Sequence, residues 1–78
     1  MKTIGVAVRA TDPRRYAEAL RAAVGLTLRG DRVALVLLAP PPRTEAVARA
    51  LATLATLGHQ VAAPPEALRD ADVIEVWR

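Results

Sequence analysis

Twice along this chain a helical stripe stops at a glycine and an apolar run follows three residues later. The two passages are Leu28-Arg29-Gly30-Asp31-Arg32-Val33 and Thr56-Leu57-Gly58-His59-Gln60-Val61. Glycine closes a helix through the left-handed region without the penalty a Cβ would bring. A helix that exits in this way into a β-type run, with another strand already ahead of it, confines the chain to strand–helix–strand units. Such units lay their strands parallel and join them by right-handed crossovers.

The first strand spans Thr3 to Arg9, with Ile4, Val6 and Val8 on one side and the small Gly5 and Ala7 on the other. That mixture suits a strand covered on both faces. Asp12 is the expected N-cap of the first helix, with Pro13 at its first position. The helix runs over about residues 14–29, where Leu20, Ala23, Val24, Thr27 and Leu28 share a face. Val33 to Leu38 is a continuous apolar run and reads as a buried strand. Pro40-Pro41-Pro42 is a stiff link that cannot join a sheet. The second helix covers about residues 44–57, with Val47, Ala50, Leu51 and Leu54 as its stripe. Val61 to Ala63 is expected as a short third strand, cut off by Pro64-Pro65. Residues 66–70 make at most one helical turn, and Asp72 to Trp77 closes the chain as a last strand. The expected fold is one α/β domain over residues 1–78. It is a small three-layer sandwich of flavodoxin-like type with a four-stranded, mostly parallel sheet, in the order β-α-β-α-β-(turn)-β.

A chain of 78 residues buries only about 60% of the surface its unfolded form exposes. It has no cysteine to form a disulfide and no cysteine–histidine cluster for a structural metal. Ideal packing or a partner subunit is therefore expected to supply the missing burial. At 53% hydrophobic the chain is too apolar for disorder. It begins without a signal-peptide pattern, and its longest apolar run, Val33 to Pro42, falls short of a membrane span. A cytoplasmic protein, not attached to a membrane, is the expectation.

The net charge of +3 invites a nucleic-acid reading, but the charge is spread along the chain. Arginines occur in every segment, interleaved with Glu18, Asp31, Glu45 and Asp70. Tyr16 and Trp77 are the only aromatic residues, so no stacking platform for single strands exists. The pattern argues against nucleic acid.

Chemistry-bearing groups are few. There is no serine or cysteine, and His59 is the only histidine. It follows a helix-ending glycine, where a capping or surface role is the simplest reading. Threonine hydroxyls on helices usually bond back to the main chain. Asp70 and Asp72 flank Ala71 as turn residues commonly do, and no further ligands for a metal lie near them. No catalytic residue, metal or cofactor is therefore expected. The turn after the first strand lacks the glycines of a phosphate loop. Open parallel sheets nonetheless bind ligands beyond the carboxyl ends of their strands, which makes Arg9, Thr11 and Asp12 the candidates for holding a small anion.

In the closing strand Ile74 and Val76 share one face, while Val73, Glu75 and Trp77 share the other. A charge on the second face marks a partly covered edge strand. Trp77 would pack against the neighbouring helix or anchor a subunit contact, and Ile74, Val76 and Trp77 are the candidate interface.

The order of elements resembles the DsrE/DsrF/TusD-like sulfur-relay family. The resemblance is carried by residues 17–33, by the second strand, by Gly58-His59-Gln60-Val61, and by residues 65–77, which end in Asp70-Ala71-Asp72-Val73-Ile74-Glu75-Val76-Trp77. It covers most of the chain by pattern, without a diagnostic motif. The resemblance implies a compact α/β subunit that forms homo-oligomers or joins related subunits. Some members of the family pass persulfide sulfur through a cysteine following the third strand. Here that stretch reads Val61-Ala62-Ala63-Pro64-Pro65, and a helix and strand before the closing strand are missing. A chain without a thiolate cannot perform the exchange itself. The expected function is that of a non-catalytic, oligomerising DsrE-like subunit, a structural or partner component of such an assembly. The alternative is a small-ligand or anion-binding module at the carboxyl edge of the sheet.

Overall fold

The computed structural model describes residues 2–78. Its elements are β1 (Thr3–Val8), α1 (Pro13–Leu28), β2 (Arg32–Leu37), α2 (Glu45–Thr56), a 3-10 helix (Pro65–Asp70) and β3 (Val73–Trp77). Each α-helix begins where a side chain satisfies a free amide. The Asp12 carboxylate accepts from the Arg14 N–H at 3.1 Å, and Pro13 takes the first helical position. The Thr44 hydroxyl accepts from the Val47 N–H at 3.2 Å. Each α-helix ends at a glycine of positive φ, Gly30 at 92° and Gly58 at 83°. A side chain would be strained at either position.

The three strands lie in the order β2-β1-β3, and both pairings are parallel. Val6 stands opposite Leu35 on one side and Glu75 on the other, so a single register fixes the faces. Ile4, Val6, Val8, Val33 and Leu35 line one face. They pack against Tyr16, Ala19, Leu20 and Ala23 of α1 and Val47 and Leu54 of α2. Tyr16, Leu20, Leu35 and Leu54 are fully buried, and each contributes about 1.5–3 kcal/mol through burial. Leu28, expected on the buried stripe of α1, is 78% exposed. It sits in the last position of the helix, beyond the residues that meet the core.

The opposite face carries Gly5, Ala7, Ala34 and Val36 and has a thinner cover. Ala34, Val36 and Ala63 form a small cluster, with Ala67 and Leu68 of the 3-10 helix packed on it. A Cβ on Gly5 would lie 2.7 Å from Leu68 Cδ2 and 3.2 Å from Ala71 Cβ. The glycine therefore lets the 3-10 helix settle close over β1. That helix is longer than the single turn the sequence indicated.

The expected third strand, Val61 to Ala63, is not formed, so the sheet has three strands where four were expected. The chain makes an isolated bridge from Gln60 to Ala34 and then leaves the sheet. Pro64 and Pro65 follow immediately, too soon for a ladder to develop. From this edge the chain must return past β2 and β1 to place β3. Winding back in the reverse direction with right-handed crossovers requires the opposite face. The 3-10 helix lies on that face for this reason.

Candidate functional site

The two edges of the sheet are the most distinctive features of the molecule. On the outer side of β2, the Val33 N–H donates to His59 Nδ1 at 3.2 Å. The Leu35 N–H donates to the Gln60 carbonyl, and the Leu35 carbonyl accepts from the Ala63 N–H, both at 2.9 Å. Residues 59–63 therefore cover this edge at Val33 and Leu35 although they form no strand, while the outward groups of Leu37 meet no partner among the described residues. His59 is held here by a backbone amide 26 positions away. No local pattern could have revealed that partner.

At the other edge, β3 is tied firmly to β1 and left open outside. Asp72 clamps its start: its Oδ2 accepts from the Thr3 N–H, and its own N–H donates to the Thr3 carbonyl, both at 2.8 Å. The Arg9 N–H reaches the Trp77 carbonyl at 2.7 Å and fixes the far end. In a parallel pair alternate residues bond to the neighbouring strand. Trp77 therefore bonds toward β1, as do Val73 and Glu75. The N–H and C=O groups of Ile74 and Val76 point outward, and no hydrogen-bond partner meets them among the described residues. The side chains are open as well, with Val73 40% exposed and Ile74 and Val76 each 50%.

Trp77 lies on the helix-covered face and packs partly buried against the main core. The Arg15 guanidinium stands 4.7 Å from its ring centroid. The same side chain donates through Nε to the Arg78 carbonyl at 3.2 Å and lies 3.9 Å from Glu18. Ile74 and Val76 project from the other face, so the three candidate interface residues share a strand but not a side of the sheet.

The candidate ligand residues lie at the carboxyl end of β1, where the winding reverses between β1 and β3. Arg9, Thr11 and Asp12 are all exposed. The Asp12 carboxylate is engaged in capping α1, and Arg15, Trp77 and Arg78 fasten the ends of α1 and β3 together beside them. A cleft of about 740 Å³ lies instead at the amino end of the sheet, lined by Thr3, Asp31, Arg32, His59, Gln60 and Asp70 among others.

Other polar side chains serve the fold. Thr27 and Thr53 bond back to the carbonyls of Val24 and Arg49. The Tyr16 hydroxyl donates to the Ala39 carbonyl at 2.9 Å, and burial raises the pKa of its phenol. Among the described residues, no three of His, Cys, Asp and Glu stand together to hold a metal, and no helix is long and apolar enough to cross a membrane.

Fold and edges together define a small α/β domain built on a three-stranded parallel sheet. No family model, curated protein or solved structure matches the chain.

Proposed function

We propose that this chain is a non-catalytic subunit that acts by assembling through its β3 edge with a second copy or a related subunit. One observation carries the reading: β3 holds the outward amides of Ile74 and Val76 and their half-exposed side chains in order, with none of the described residues laid over them. A sheet edge of this kind is a template for another strand unless the protein protects it. Among the described residues, such protection is found at Val33 and Leu35 of the opposite edge and not at β3. Sedimentation equilibrium across the micromolar range tests the reading. The expected mass exceeds the 8.3 kDa of one chain, and Ile74→Lys returns it to one chain, with a melting temperature that no longer rises with protein concentration. Wild-type protein that remains a single chain throughout would refute it.

We extend the proposal to a shortened, thiol-free relative of DsrE/DsrF/TusD-like subunits. Its support is the alternating order of strands and helices, with the closing strand laid beside the first. In that role the chain would hold a thiol-bearing subunit and carry no sulfur itself. Mixing it with such a subunit should give a stable complex with altered persulfide transfer. No complex removes the sulfur-relay part and leaves the assembly part standing.

A further inference from the structure

A two-fold axis normal to the sheet would pair β3 with its own copy, antiparallel, and keep like faces together. Preserving the faces allows three registers over this strand, centred on Ile74, Glu75 or Val76. Centring on Glu75 sets two carboxylates directly opposite, which destabilises a strand pair. Centring on Ile74 sets Glu75 opposite Val73 of the second copy and Asp72 opposite its Val76, so both acids face apolar side chains. Centring on Val76 sets Glu75 opposite Trp77 of the second copy, the ring that carries the Arg15 guanidinium 4.7 Å from its centroid. Glu75 has no ion-pair partner within its own chain among the described residues. Only this register brings it a cation, and symmetry does so twice.

We propose that two copies of this chain pair antiparallel along β3 in the Val76-centred register, joining their sheets into one and forming a Glu75–Arg15 ion pair on either side of the axis. The proposal rests on the assembly reading above and adds the occupant and the register. The outward amides of Ile74 and Val76 find partners, and the Val76 side chains meet at the axis. The aliphatic stem of Arg78 lies opposite Ile74 of the second copy.

A chain without cysteine makes the test direct. Single variants Ile74→Cys, Glu75→Cys and Val76→Cys are oxidised mildly at low concentration. A residue on the axis faces itself with Cα atoms about 5.5 Å apart, inside the disulfide range of about 4.4–6.8 Å. Val76→Cys should cross-link about tenfold faster than the other two. In the same protein without cysteine, Glu75→Lys should weaken self-association, and adding Arg15→Glu should restore it. Fastest linking at position 74 or 75 overturns the register while leaving assembly intact. A dimeric mass with no linking at any of the three positions moves the contact away from β3 and overturns the proposal. A wild-type mass of one chain overturns both the proposal and the assembly reading beneath it.

Discussion

The two edges of this sheet face the same physical problem and meet it differently. Both expose alternate backbone amides that lose hydrogen bonds if buried unpaired. On the β2 side an imidazole, a carbonyl and an amide from residues 59–63 satisfy Val33 and Leu35 without adding a strand. On the β3 side the chain orders the strand with Asp72 and Arg15 and covers nothing outside it. A few well-placed groups can cover part of an edge without adding a strand. Among the described residues no such groups lie outside β3.

The covered part of the β2 edge is most sensitive at Ala63. Ala63→Pro removes the N–H that the Leu35 carbonyl accepts and places a ring where Ala63 is buried. A loss of about 2–3 kcal/mol is expected in urea unfolding, with concentration-dependent association through the newly opened β2 edge. Unchanged stability would show that residues 59–63 do not seal this edge.

Asp72→Ala attacks the opposite side by leaving the Thr3 N–H without its carboxylate acceptor. It should cost about 1–2 kcal/mol and loosen β3, seen as faster amide exchange at residues 73–77. His59→Ala frees the Val33 N–H and should cost about 1 kcal/mol. Exchange at Val33 should rise toward that of the outward Ile74 and Val76 amides in the single chain, while Leu35 stays protected. If Val33 keeps its protection, the imidazole is not the group that guards it.

The smallest effect concerns Tyr16, whose hydroxyl ties the stretch beyond β2 to α1. Burial raises its pKa above the usual value of 10.0, so the fold favours the neutral phenol. That contribution is fully present below about pH 10 and is lost as pH rises through the raised folded-state value. Stability should fall in alkali, and Tyr16→Phe should abolish that fall while costing about 0.5–1 kcal/mol at neutral pH. The same alkaline decline in the variant would assign it to another group.

What was legible in the sequence follows from the range of the forces involved. β1, β2, β3 and both helices could be placed to within a residue or two, because periodicity, the caps at Asp12 and the exits at Gly30 and Gly58 are local signals. The third strand failed because Val61 to Ala63 had β-type composition but no room before the proline pair. The side-chain division of β3 was also readable, since alternation alone determines it. The functions of His59, Asp72 and Arg15 were not. Asp72 looks like a turn residue until Thr3, 69 positions earlier, is placed beside it. Arg15 looks like a solvated helix charge until Trp77 is brought under it.

The placement of β1 between β2, which follows it after one helix, and β3, which follows much later, has a consequence for how the protein is made. β1 is synthesised before both of its neighbours and can pair with β2 once α1 has formed, but its other flank waits for residues 73–77. At ordinary translation rates that delay is on the order of ten seconds. Throughout it, Ile4, Gly5, Val6, Ala7 and Val8 present a bare flank to the crowded surroundings of the ribosome. The nascent form most in need of a chaperone is thus the one in which β3 is still missing.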